Sequence, residues 1–194
     1  MKKFFAAIDQ STTGTKFIIF DSLGKEFGKS YKTHTQYADL PAHVSHDANE
    51  IWANTKDVIS SGMAEFQAKG FTKENLISVG ITNQRQTTVC WDKHTGNPIR
   101  RAIAWCDNRS EKAKICAQIV ETHRNNPDYF KPRNGLVVSP YYSMFNLLWM
   151  FKEEPESKAL MKEKKLSFGT VDSWLIYKLT SHKSHMTDVS NASG

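Results

Sequence analysis

The chain has 194 residues, room for one sizeable domain or one and a half small ones, and its 39% hydrophobic and 24% charged residues are the balance of a soluble globular protein. No run approaches the roughly 18 consecutive apolar residues of a spanning helix, which excludes a membrane partner. A net charge of +6 invites a nucleic-acid partner, but the densest run, Lys158 to Lys165, mixes glutamate among its lysines and reads as a solvated helix face, so no nucleic acid is expected.

The opening Met1-Lys2-Lys3-Phe4-Phe5-Ala6-Ala7-Ile8 is basic and then apolar, like a short signal peptide. The apolar run is too brief, and Asp9 ends it with no small-residue cleavage site behind. It predicts a first strand over 3–9 and a cytoplasmic protein. Ser11-Thr12-Thr13-Gly14 is turn chemistry. Strands follow over 16–21 and 26–36, so the fold should open as an antiparallel meander. Asp47 with Glu50 three residues on is a capping-box pattern. Behind it Ile51, Thr55, Val58, Ile59, Gly62, Met63 and Phe66 share one helix face.

Leu76 to Ile81 is a short apolar strand suited to a buried sheet position. Thr87 to Asp92 and 99–105 should form a strand pair around the turn 93–98. Helices are expected over 109–123, 142–152, 155–164 and 170–180. Cys90, Cys106 and Cys116 are too few and too scattered for a disulfide framework or a zinc site, and three reduced thiols are expected.

Two polar segments carry the candidate chemistry. In Asp9-Gln10-Ser11-Thr12-Thr13-Gly14-Thr15-Lys16, a strand delivers a carboxylate, a hydroxyl-rich turn can aim N–H groups at phosphate oxygens, and a lysine opens the next strand. The spacing is not that of a Walker A loop, and on local pattern alone the segment is also an ordinary hydrophilic turn. In Gly80-Ile81-Thr82-Asn83-Gln84-Arg85-Gln86, polar side chains at a strand end suit a polyol, and the planar fork of Arg85 can donate to two hydroxyls. Trp105, in Ala104-Trp105-Cys106-Asp107, and Tyr141, in Pro140-Tyr141-Tyr142-Ser143, could line such a site or simply be core.

Those segments, with Thr-Gly-Asn-Pro-Ile at 95–99, Phe-Gly-Thr-Val-Asp-Ser-Trp-Leu at 168–175 and Thr-Asp-Val-Ser-Asn-Ala-Ser at 187–193, together resemble the glycerol kinases of the FGGY carbohydrate kinase family, from residue 4 to the last residue. The resemblance implies an α/β fold, a ribonuclease-H-like (actin-like ATPase) N-terminal lobe whose meander is followed by helix–strand crossovers. It takes 1–194 as the family's N-terminal domain, with an incomplete C-terminal part and a second domain beyond it. It implies ATP-dependent phosphorylation of glycerol, with ATP and Mg²⁺ as cofactors and glycerol or a similar small polyol as partner; self-association of a full-length form stays open.

By the same resemblance Thr12, Thr13, Gly14 and Lys16 hold the nucleotide phosphates, Lys16 standing where arginine is usual, and Asp9 sits near the metal. Arg85, Gln86, Trp105 and Tyr141 grip the polyol. Gln86 stands where the family has glutamate, Asn146 where lysine is common, and Gly194 where arginine is usual. No catalytic residue is expected within the chain; the base lies beyond Gly194, and the isolated chain is expected to be inactive. The alternative reading is a degenerate, non-catalytic kinase lobe that binds a polyol or a protein.

Overall fold

The computed structural model describes residues 2–193. In chain order the elements begin with β1 (Phe4–Gln10), β2 (Gly14–Asp21), β3 (Glu26–Thr33), β4 (Gln36–Tyr37), β5 (Ser45–His46) and α1 (Ala48–Ala68). Next come β6 (Leu76–Asn83), β7 (Thr88–Asp92), β8 (Ala102–Ile103), α2 (Ser110–Thr122) and α3 (Lys131–Asn134). The last are α4 (Ser143–Glu153), α5 (Pro155–Lys162), β9 (Leu166–Thr170), α6 (Val171–Leu179) and α7 (Val189–Ala192). Two compact units divide the chain: one runs up to Gln36 and takes in Asp47–Gln84, the other holds Tyr37–His46 and everything from Arg85.

The first unit is a sheet in the order β3-β2-β1-β6, with β1–β3 antiparallel and β6 parallel to β1. Alternation dictates its inner face. Phe4, Ala6, Ile8, Phe17 and Ile19 are buried, and the buried residues of α1 are Ala48, Ile51, Asn54, Thr55, Val58, Gly62 and Phe66. The Asp47 carboxylate caps α1 by accepting from Asn49 N at 2.8 Å. The other half of the expected capping box is absent, because Glu50 accepts from Thr35 N at 3.1 Å instead.

Helix and sheet approach closely at two glycines. A Cβ on Gly28 would lie 2.4 Å from Gly62 O, and one on Gly62 would lie 2.6 Å from the Phe17 ring. This meander, crossover helix and parallel strand are the ribonuclease-H-like arrangement expected. One expectation fails: β6 is not buried. Ile77 is 52% and Val79 51% exposed, because side chains stand off the faces of a sheet and, among the described residues, no element covers these two; β6 is also an edge strand, paired with β1 and, among those residues, with no other strand.

The second unit carries the sheet β4-β5-β8-β7-β9. The full-length return strand over 99–105 does not form. After a Trp91–Pro98 bridge the chain leaves the ladder, and β8 meets β7 only at Thr88–Ile103. β7 instead runs its whole length against β9, from Thr88–Thr170 to Asp92–Leu166. Cys90, Ile103, Ile115, Phe145, Trp149 and Met150 form its core. All three cysteines are free thiols, and burial pushes Cys90 up to about 12, which makes it unreactive.

Candidate functional site

The phosphate-binding candidate belongs to the first unit. The β1–β2 turn closes on itself: Ser11 N and Ser11 Oγ both donate to Gly14 O, at 2.9 and 3.0 Å. Gln84 anchors it, with its N–H on Gln10 O at 2.9 Å and its Nε2 on Gln10 Oε1 at 3.0 Å. Gly14 is required here, since a Cβ would sit 2.5 Å from Lys32 O and 2.6 Å from the Tyr31 hydroxyl.

Strand register then sets the chemistry. Asp9 is paired with Lys16, and Lys16 with Tyr31, in one row across three strands. Asp9, Ser11, Thr13, Lys16, Lys29 and Tyr31 line a cavity of about 550 Å³. Of the five residues named from sequence for this site, Asp9, Thr13 and Lys16 reach that cavity. Gly14 lets the turn close, and Thr12 lies within the turn. Lys29 and Tyr31 were missed; the signal was their register on β3, the strand beside the one that carries Lys16.

Among the described residues no group of three or more His, Cys, Asp or Glu side chains could hold a metal ion alone. Two carboxylates line the cavity, Asp9 and Glu26, and Glu26 is paired with Lys29 at 2.9 Å; Asp9 with hydroxyl oxygens beside it fits Mg²⁺ held largely by water and phosphate oxygens, the usual way this ion is bound. A transition-metal site would need softer donors than these.

The polyol-binding candidate belongs to the second unit, and residues 85–88 are its hub. Arg85 is exposed, and among the described residues its guanidinium has no hydrogen-bond partner. Gln86 is 96% buried and takes a left-handed φ of 65°, uncommon outside glycine. Its Oε1 accepts from Ser143 N at 2.8 Å and Ser143 Oγ at 2.9 Å. Helix α4 has no side-chain cap from its own N-cap residue, Tyr142, so Gln86 supplies that cap from 57 residues away. The next residue, Thr87, accepts from Trp105 N through its Oγ1 at 3.1 Å. These bonds tie together the segments that carry Arg85, Gln86, Trp105 and Tyr141. Trp105 and Tyr141 are each 41% exposed, open to a ligand rather than committed to core.

Beneath the hub lies a buried ionic network that motif reading did not find. Asp107 accepts from Arg109 Nε at 2.8 Å, Arg109 Nη2 at 2.7 Å and Val44 N at 2.8 Å. Lys112 Nζ lies 3.2 Å from the same carboxylate and donates to Asp107 O at 2.6 Å and Asn146 Oδ1 at 3.0 Å. Asn146 Nδ2 donates to Thr88 Oγ1 at 2.9 Å and Gln86 O at 3.4 Å, which closes the path back to the hub. Burial pushes the Asp107 carboxyl up, but Arg109, the Val44 amide and Lys112 outweigh it and hold it below the usual range. Burial pushes the Lys112 ammonium down despite Asp107.

A second cavity in this unit, about 560 Å³, is lined by Thr88, Ser143, Met144, Leu147, Phe168 and Met186 among others. None of the four named polyol residues lines it, and its lining is mainly apolar. Among the described residues no helix is long and apolar enough to cross a membrane. Gly194, where the sequence departs from the resemblance, lies outside the described residues.

Known proteins give this arrangement a family. Residues 4–194 match the N-terminal domain of the FGGY family of carbohydrate kinases. The chain is 40% identical over 193 residues to a glycerol kinase of Petrotoga mobilis and 38% identical to one of Bacillus licheniformis. Each match takes in 100% of this chain but only 37% and 38% of those relatives' length, respectively. A Plasmodium falciparum glycerol kinase structure with ADP superposes with a TM-score of 0.89 at 30% identity, over 99% of this chain and 37% of that one. A gluconate kinase of Lactobacillus acidophilus shares the fold, with a TM-score of 0.79 at 18% identity, over 100% of this chain and 36% of that one. The chain belongs to the FGGY family of carbohydrate kinases, and residues 4–194 are its N-terminal domain.

Proposed function

We propose that this chain supplies the polyol grip and the phosphate-holding turn of an ATP-dependent glycerol kinase. The observation that carries the reading is the hub at 85–88, which ties the segments of an exposed arginine, an exposed tryptophan and an exposed tyrosine to one buried glutamine. The identity of 38–40% to glycerol kinases across the whole chain supports glycerol as the substrate.

Arg85 donates to two hydroxyl oxygens from its fork, and Gln86 holds α4, and with it Tyr141, in position. Trp105 packs against the C–H face of the polyol. Gly14 lets the turn close, Thr12 and Thr13 offer hydroxyls to phosphate oxygens, and Lys16 offsets their charge. Asp9 would hold Mg²⁺ through water. When bound, that ion neutralises phosphate charge.

Residues 1–194 are proposed to act as one domain of the enzyme, and taken alone they turn over no ATP, since no base for the polyol hydroxyl is assigned within them. The test is calorimetric titration of glycerol into the protein at its natural length, beside Arg85→Ala. Loss of one charged donor should weaken binding about tenfold or more. Equal binding by the variant would remove Arg85 from the site.

A further inference from the structure

Strand β3 brings to the β1–β2 turn a side chain that the turn's own residues do not include. Tyr31 stands opposite Lys16 in the β2–β3 ladder, and Lys16 stands opposite Asp9 in the β1–β2 ladder. Directly opposed side chains share one face of a sheet, so all three project to the same side. There Tyr31 lines the 550 Å³ cavity together with Asp9, Thr13 and Lys16. The turn itself places the ring. The Tyr31 hydroxyl lies 2.6 Å from the point where a Cβ on Gly14 would stand, space that only glycine leaves free. Tyr31 is still 50% exposed, so its hydroxyl is open to a ligand.

That hydroxyl is little committed to the protein. Among the described residues it meets only Thr13 Oγ1, at 3.4 Å. This is long for two hydroxyls, whose bonds centre on about 2.7–2.8 Å. At such a separation both can reach one oxygen between them at ordinary length, each donating to it. The cation beside them is uncommitted too. Of the two lysines on the cavity, Lys29 is paired with Glu26 at 2.9 Å, whereas Lys16 has no ion-pair partner among the described residues. Two hydroxyl donors and a free ammonium on one wall suit an oxyanion that accepts from all three.

We infer that Tyr31 is a phosphate-binding residue of this chain: its hydroxyl and that of Thr13 donate to one phosphate oxygen, whose charge Lys16 offsets. The inference rests on the reading of the β1–β2 turn as the nucleotide site, and it extends that site onto β3.

Tyr31→Phe tests it, because phenylalanine keeps the ring against Gly14 and removes only the hydroxyl. ADP with Mg²⁺ is titrated calorimetrically into the natural-length protein, Tyr31→Phe and Lys16→Met. Loss of a hydrogen bond to a charged oxygen should weaken ADP binding about tenfold in Tyr31→Phe, and loss of the ammonium about tenfold or more in Lys16→Met. The urea midpoint of Tyr31→Phe should stay at the wild-type value, since the hydroxyl has no close partner in the protein. With 3-fluorotyrosine in place of tyrosine, the fluorine resonance that is missing from Tyr31→Phe should shift when ADP is added.

Unchanged ADP affinity in Tyr31→Phe while Lys16→Met weakens it, a loss of affinity matched by a fallen urea midpoint, or an unshifted fluorine resonance would overturn the assignment of Tyr31. No ADP binding by the wild type, or binding that Lys16→Met leaves intact, would overturn the underlying reading of the turn instead.

Discussion

Replacing Asp107 with asparagine takes one negative charge from a place where two cations are buried. The Asp107 side chain is 0%, Arg109 2% and Lys112 1% exposed. Removing one partner of a buried pair costs about 3–5 kcal/mol, because the survivor stays buried and uncompensated. Here asparagine keeps one acceptor oxygen, and Lys112 keeps Asp107 O and Asn146 Oδ1, so about 3 kcal/mol is expected. With a urea slope near 1.5–2 kcal/mol per molar, the midpoint should fall by about 1.5–2 M. Tryptophan emission suits the assay, since the Arg109 guanidinium sits 4.0 Å over the Trp149 ring.

The pH dependence has a definite sign. The folded carboxyl lies below its ordinary value of 3.8. Its contribution is therefore full above 3.8 and lost as pH falls through the lower folded value, a loss that Asp107→Asn should not show. In the variant Lys112 drops further below 10.5. The unfolded chain then binds more protons than the folded one below 10.5, so the variant should regain stability as pH rises. Adding Lys112→Met to Asp107→Asn should recover about 1–3 kcal/mol of coupling. A variant within about 0.5 kcal/mol of wild type, or strict additivity with Lys112→Met, would refute the reasoning.

Gly28→Ala should destabilise the first unit by about 1–3 kcal/mol, read as a lower urea midpoint, because its methyl would meet Gly62 O at 2.4 Å. An unchanged midpoint would mean that α1 is free to back away from the sheet. Gly14→Ala should weaken ADP binding about tenfold or more, since closure of the turn brings its Cα against Lys32 O and the Tyr31 hydroxyl. Calorimetry with ADP checks this, and wild-type affinity would take the turn out of the nucleotide site. The isolated 194-residue chain should show no glycerol-dependent ATP consumption in a coupled assay; turnover that Arg85→Ala abolishes would show that a base lies within it.

What could be read from the sequence was what neighbours in sequence decide. The alternation of Phe4, Ala6 and Ile8 marks a strand with one buried face, and Asp47 caps the helix that begins beside it. The turn proposed to hold phosphate is legible because its residues are contiguous. Exposure of β6 was not legible, since an apolar run reads the same whether or not another element covers it. The return strand was overextended because alternation over 99–105 does not reveal that Arg100 and Arg101 turn away to pair with Glu154 and Asp39. Gln86 looked like a ligand residue and nothing more, for its partner Ser143 is 57 positions on. The ionic network was invisible for the same reason: Asp107, Arg109 and Lys112 look like surface charge until Val44 and Asn146 are brought against them.

Phosphorus NMR of the natural-length protein incubated with MgATP and a short polyol tests the central claim most directly. The account predicts a new phosphate monoester resonance from glycerol, growing as ATP falls and ADP rises, and lost in Arg85→Ala. ATP that stays intact with every polyol offered, or a monoester that forms equally well in Arg85→Ala, would contradict it.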